Sequence, residues 1–101
     1  MVYNIRIISE KTLKTFWEQH ADAEGPLRTW RDHAKRAVWE KPADIERDYG
    51  SDVILPNNRA VFNIKGNHYR LVVAIHYKSH IVYIRFIGTH EEYNKIDATI
   101  I

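Results

Sequence analysis

Arg70, Arg85, His90 and Tyr93 are the residues whose types and spacing point to chemistry. His90 and Tyr93 stand at i and i+3, so on a helix they face the same way. A histidine trades protons near neutral pH. A tyrosine beside cations serves as an acid/base or as a platform for a nucleic-acid base. Arg85 lies mid-run between Ile84 and Phe86, with apolar neighbours on both sides, and Arg70 has a similar position one run earlier. An arginine so placed is partly desolvated and needs an anionic partner. Two kinds of partner fit Arg85: an internal carboxylate such as Glu91, Glu92 or Asp97, or a phosphate. Two such arginines on one face favour the phosphate. For the other pair the plainer alternative is that Tyr93 packs its helix down and His90 only occupies the first turn.

The runs that carry these residues read as a three-stranded meander. A strand at 59–64 meets Gly66-Asn67, a strand at 68–77 meets Lys78-Ser79, and a strand at 80–87 ends at Gly88. Short connections carrying Gly, Asn or Ser suit antiparallel hairpins. Strand alternation sorts the residues into two faces. Ala60, Phe62 and Ile64, then Tyr69, Leu71, Val73, Ile75 and Tyr77, then Val82, Ile84 and Phe86 form the bulky face. With regular register and no bulge, Asn63, Lys65, Arg70 and Arg85 share the opposite, open face, and Ile87 joins them.

Earlier elements must cover the bulky face. Residues 2–8 read as a strand with Tyr3, Ile5 and Ile7 on one side. Ser9 is the expected N-cap of a helix running to about Asp22, whose Leu13, Phe16, Trp17 and His20 form one apolar stripe. Gly25-Pro26 is expected to break the chain. A second helix comes next with Leu27, Trp30, Ala34, Ala37 and Val38 inward, and Pro42 is expected to end it. Residues 44–49 read as one helical turn and residues 53–55 as a short strand. The three tryptophans are expected to pack in the core or against a partner rather than to stack on bases. Thr89 and Glu92 form a capping box that opens the last helix. The order β-α-α-β-β-β-α specifies an α+β domain spanning residues 1–101, with two helices on one face of a small, mostly antiparallel sheet.

Composition removes several classes. The 101 residues contain no cysteine, which excludes disulfides, thiolate metal sites and a cysteine nucleophile. His68, His76 and His80 lack the spacing of metal ligands, so no metal or other cofactor is expected. No apolar run is long enough to span a bilayer, and the start carries no leader pattern, so a cytoplasmic protein without membrane contact is expected. Net charge is only +2, yet residues 59–101 hold six Lys/Arg against three Asp/Glu, with four of the six histidines. That asymmetry suits a polyanionic partner.

The pattern F-N-I-x-G-N-x-Y-R-L-V at 62–72, with V-Y-I-R-F-I-G-T-H-x-x-Y after it at 82–93, resembles the HigB-type toxins of bacterial toxin–antitoxin pairs. These belong to the wider RelE-like group of messenger-RNA endonucleases. The length, the two N-terminal helices and the Lys-Pro at 41–42 agree with this. The resemblance implies a RelE-like fold and a ribosome-dependent nuclease that cuts messenger RNA in the A site without a metal. It also implies a cognate HigA-like helix-turn-helix antitoxin, with operator DNA contacted only through that antitoxin. In such enzymes the ribose 2′-OH attacks the adjacent phosphate, leaving a 2′,3′-cyclic phosphate and a 5′-OH. The implied catalytic residues are Arg70, Arg85, His90 and Tyr93, and the implied RNA contacts are Asn63, Lys65, Asn67 and Lys95. A non-catalytic RNA- or ribosome-binding module on the same basic face is the alternative, and a plain interaction domain is a third.

Overall fold

The computed structural model describes residues 4–101. The expected beginning of the first strand, including Tyr3, lies outside the described residues. The chain forms β1 (Arg6–Ile8), α1 (Lys11–Gln19), α2 (Glu24–Arg36), α3 (Pro42–Tyr49), β2 (Ile54–Leu55), β3 (Arg59–Ile64), β4 (Tyr69–His76), β5 (Ile81–Thr89) and α4 (His90–Tyr93). The five strands make one mixed sheet in the order β1-β5-β4-β3-β2. β1 runs parallel to β5, and every other neighbouring pair is antiparallel. An α+β domain is therefore present, as the element order specifies, and its mixed five-stranded sheet is consistent with the RelE-like fold that the resemblance implies.

The helical layer obeys its apolar stripes, but its boundaries differ from expectation. Leu13 and Trp17 of α1 are buried, with Phe16 and His20 half-buried beside them. Ser9 does not cap α1. It adopts a left-handed φ of 67°, and its backbone carbonyl accepts the N–H of Thr12 at 2.9 Å. The helix stops at Gln19, and a separate 3-10 turn, Ala21–Ala23, leads into α2. Gly25-Pro26 does not break the chain, because both residues lie in the first turn of α2. A proline is tolerated there since its missing N–H would have had no helical partner. Pro42 likewise opens α3 rather than closing α2. The chain leaves α2 at Arg36, and Val38 is 47% exposed instead of inward. α3 is two turns long rather than one.

All three tryptophans are buried, as expected. Trp30, Trp39 and Tyr49 converge on Phe62 of β3, with ring centroids 5.3, 6.1 and 4.8 Å away. This aromatic cluster ties α2, α3 and the segment between them to the first face of the sheet, together with Leu71, Val73, Ile75, Val82 and Ile84.

The opposite face departs from simple alternation at one point. Val73 pairs with Ile84 and Val72 pairs with Phe86, so Arg85 is an extra residue in β5. A bulge of this kind leaves one residue unpaired and reverses the facing of the residues beyond it. Phe86 therefore joins the second face, and Ile87 packs against the helix-side core. This corrects the expected placement of both. Nor is the second face fully open. Val72 and Ala74 are buried there, and residues 94–101 lie along its β2–β3 side. The Asn57 side-chain amide donates to the Thr99 carbonyl at 2.9 Å, Arg59 Nε donates to the Ile101 carbonyl at 3.0 Å, and Ala98 is buried.

Gly88, paired with Arg70, sits beneath the Phe86 ring. A Cβ at this position would stand 2.6 Å from Phe86 Cζ and 2.9 Å from Glu92 Oε1. Gly88→Ala is therefore expected to cost about 1–3 kcal/mol, the usual range for overpacking. Thermal or denaturant unfolding measures this, and an unchanged midpoint would show that Phe86 swings away freely.

Candidate active site on the second face of the sheet

α4 is a single turn, too short to be stable without caps. Its capping box supplies them: the Glu92 N–H donates to Thr89 Oγ1 at 3.1 Å, and the Thr89 N–H donates to Glu92 Oε1 at 2.8 Å. The His90 N–H, which has no partner inside so short a helix, donates to the His68 carbonyl at 3.2 Å. α4 is thus fastened to the turn between β3 and β4.

Of the expected site residues, Arg70 and Tyr93 meet here, and His90 stands on the same short helix. Tyr93 is half-buried, and its ring centroid lies 5.9 Å from Arg70 Cζ and 6.5 Å from the Phe86 ring. The Arg70 guanidinium also donates from Nη1 to the Asn67 carbonyl at 3.3 Å. His90 is exposed on the same short helix, and its Nδ1 lies 3.2 Å from the Asn94 side-chain nitrogen. An amide nitrogen only donates, so in this orientation Nδ1 is the acceptor. Asn63 is exposed and is the register partner of Arg70, Asn67 lies in the adjoining turn, and Lys95 is exposed just beyond α4.

Arg85 and Lys65 are placed differently from expectation. The bulge leaves Arg85 exposed rather than desolvated, with its guanidinium 5.4 Å from the Tyr83 ring centroid. Among the described residues no carboxylate pairs with it, so Glu91, Glu92 and Asp97 are not its partners. It shares the second face with Arg70 but lies further down β5, beside His76 and Asn58 around a hollow of about 190 Å³. Lys65 has a left-handed φ of 52° at the start of the turn. That conformation takes its ammonium off the Arg70 face and onto Asp22 Oδ2, 2.7 Å away.

Asp22, Tyr69, His20 and Phe86 were not singled out from the sequence. Tyr69 donates its hydroxyl to Asp22 Oδ1 at 2.6 Å. The Lys65 and then the Tyr69 hydrogen bond hold the Asp22 carboxyl below its ordinary value, and the same bond from Tyr69 pushes the phenol up. The Thr89 backbone N–H is the largest influence lowering Glu92, and the charges of His20 and Lys95 act in the same direction. Among the described residues, this face offers the Arg70 and Arg85 guanidinium groups without carboxylate partners, the rings of Tyr83, Phe86 and Tyr93, and the His90 imidazole on a capped turn. Those groups suit a phosphodiester flanked by bases.

The fold and this face define a small RelE-like α+β protein with a cationic, aromatic site. Residues 23–96 match the HigB toxin family, described as the RelE-like toxic component of a toxin–antitoxin system, and the chain belongs to that family. It is 26% identical over 96 residues to the mRNA interferase toxin HigB of Escherichia coli (strain K12), a match covering 93% of this chain and 92% of that protein. The mRNA interferase HigB of Escherichia coli O157:H7 and that of Shigella flexneri match to the same extent.

The lowered carboxyls set a pH dependence. A carboxyl whose folded value lies below its unfolded one stabilises above the unfolded value and loses that contribution as pH falls through the folded one. Asp22 and Glu92 are held below ordinary values of 3.8 and 4.5. The melting temperature is therefore expected to be flat near neutral pH and to fall under about pH 4, less steeply in Glu92→Gln. Thr89→Ala should cost about 1 kcal/mol by removing the hydroxyl cap. Melting curves across pH check both, and an acid limb identical in Glu92→Gln would remove that carboxyl from the account.

Proposed function

We propose that this toxin is an endoribonuclease that cuts messenger RNA during translation, in the ribosomal A site. Arg70 carries the proposal: it stands beside Tyr93 and above no carboxylate, one hydrogen bond from the turn that holds His90. The reaction it supports needs no metal. The ribose 2′-oxygen attacks the adjacent phosphorus as its proton leaves to a base. The bond to the 5′-oxygen then breaks as an acid protonates it, leaving a 2′,3′-cyclic phosphate and a 5′-OH. His90 and Tyr93 supply the proton-transfer pair. Arg70 offsets the charge that builds on the phosphorane, and Arg85 adds to the cationic field along the strand. Asn63, Asn67 and Lys95 contact the backbone on either side, while Lys65 is committed to Asp22 and takes no direct part. The names of the E. coli and Shigella relatives support the reaction class. Membership of a toxin–antitoxin family supports an antitoxin partner, which we take to be a HigA-like helix-turn-helix protein that alone contacts operator DNA. A cytoplasmic site of action is in keeping with that substrate.

Induction of the toxin without antitoxin is expected to arrest growth, and primer extension on cellular messages should show cuts confined to translated regions. Arg70→Ala should slow cleavage by roughly 100- to 1,000-fold, the loss typical of one charge-stabilising donor, with little change in melting temperature. Arg85→Ala should slow it as well. Tyr93→Phe separates proton transfer from stacking, since it keeps the ring and removes the hydroxyl. Ribosome association without any cut would replace this proposal with the non-catalytic binding module. Unfolding of Arg70→Ala would make that arginine structural.

A further inference from the structure

Asp22 lies in the turn between α1 and α2, on the helical side of the sheet and 47 residues from Tyr69 in sequence. Its two carboxylate oxygens are divided between the two ends of the β3–β4 turn. Oδ2 accepts from Lys65 Nζ at 2.7 Å and Oδ1 accepts from the Tyr69 hydroxyl at 2.6 Å. The turn between them is strained at its first residue, Lys65, with a φ of 52°; Gly66 follows at 61°, where a glycine meets no steric cost. Lysine has no intrinsic preference for that region, so its conformation must be held by neighbouring contacts. The carbonyls that the turn presents on its other side are the ones that matter to the site: Asn67 accepts from Arg70, and His68 accepts from the His90 N–H.

Tyr69 is itself braced. Its ring meets Phe16 and His20 edge-on at 5.2 and 5.5 Å, and those two rings stack 4.1 Å apart at 7°. The clamp is therefore anchored in α1 and the residue just after it, not in a loop free to drift. Its value for global stability is small, because Asp22 and Lys65 are both more than 40% exposed and such pairs are screened by water. Geometry is where it has leverage.

We infer that Asp22 is a positioning residue: by gripping Lys65 and Tyr69 it fixes the β3–β4 turn, and through the Asn67 and His68 carbonyls it sets where Arg70 and His90 stand. The inference rests on the cleavage proposal for its kinetic consequence, but its structural half is measurable without it. Misplacing a catalytic group by about an ångström can cost up to 100-fold in rate. Asp22→Ala is expected to lower kcat on translating ribosomes by roughly 10- to 100-fold while KM stays near the wild-type value. Asp22→Asn, which keeps an acceptor for Tyr69, should lie between the two. The melting temperature should barely move. Amide exchange should quicken at His90 and leave Val73 and other β4 amides protected. Exchanging the partners, in Asp22→Lys with Lys65→Asp, restores the ion pair but offers the Tyr69 hydroxyl no acceptor, so it should recover part of the rate and not all of it. An unchanged kcat with unchanged His90 exchange overturns the inference, as does a loss of protection spread evenly over the sheet, which would make Asp22 merely structural. A wild-type protein that never cuts RNA overturns the cleavage proposal instead, and the His90 exchange in Asp22→Ala then decides the clamp by itself.

Discussion

The pairing of β4 with β5, interrupted by the single extra residue Arg85, is the constraint from which the site is built. Before the bulge Val82 and Ile84 face the helices. After it Ile87 takes over that inward role, and Phe86 turns to the other side with Arg85. Two large groups that would have alternated are thereby delivered to one face. The shifted register also brings Gly88 opposite Arg70 and Thr89 opposite Tyr69. That puts the capped end of β5 beside the β3–β4 turn, so the first N–H of α4 reaches the His68 carbonyl. Without the extra residue, this junction and the helix after it would lie one position out of step.

The two faces of the sheet are held in different ways, and the difference separates stability from chemistry. On the helix side, Trp30, Trp39, Tyr49 and Phe62 interlock with the aliphatic residues of three strands. Truncating such a ring typically costs about 3–5 kcal/mol, so this side carries much of the fold's cohesion. The second face is covered on its β2–β3 side by residues 94–101, whose Thr99 and Ile101 carbonyls engage Asn57 and Arg59. What is left uncovered is the corner formed by Arg70, Phe86, His90 and Tyr93, with Arg85 below it. Arg70 there has one ring contact and one hydrogen bond, Tyr93 has two ring contacts, and His90 is exposed.

Much of this was legible in the sequence because it depends on local rules. The three long strands, the Thr89–Glu92 capping box, the buried tryptophans and the Arg70–His90–Tyr93 grouping all come from alternation, capping chemistry and i, i+3 spacing. The errors arose where one residue has two local meanings. Gly25-Pro26 and Pro42 read as helix breakers, yet proline is also a good first-turn residue, and the tertiary packing of Leu27 and Ile45 decided for that role. The bulge at Arg85 was invisible because alternation continues through it in sequence and only the partner strand reveals the slip. Lys65 was placed on the open face because its left-handed φ and its distant partner Asp22 leave no trace in a run of five or six residues.

What finally distinguishes the site is a guanidinium over a ring with no carboxylate partner: among the described residues Arg70 and Arg85 combine the two, Arg28 has both a ring and Glu24, and Arg36 has neither ring nor carboxylate. A surplus of +2 over the whole chain says little about where a polyanion would bind. On the helices, Arg28, Arg31 and Arg47 each have a carboxylate within 4 Å: Glu24 for the first, Glu10 and Asp32 for the second, Asp44 and Asp48 for the third. Arg59 is held by the Ile101 carbonyl of the covering segment and by the Asn57 carbonyl. Arg70 and Arg85, by contrast, face aromatic rings and, for Arg70, one carbonyl. A guanidinium over a ring retains most of its charge and all of its outward donors, whereas one in a bidentate or networked ion pair has spent both. On the cleavage proposal, a phosphate approaching the second face would displace water from these cations without first having to break a salt bridge, and the nearby rings of Tyr93 and Phe86 would offer flat surface to the bases on either side.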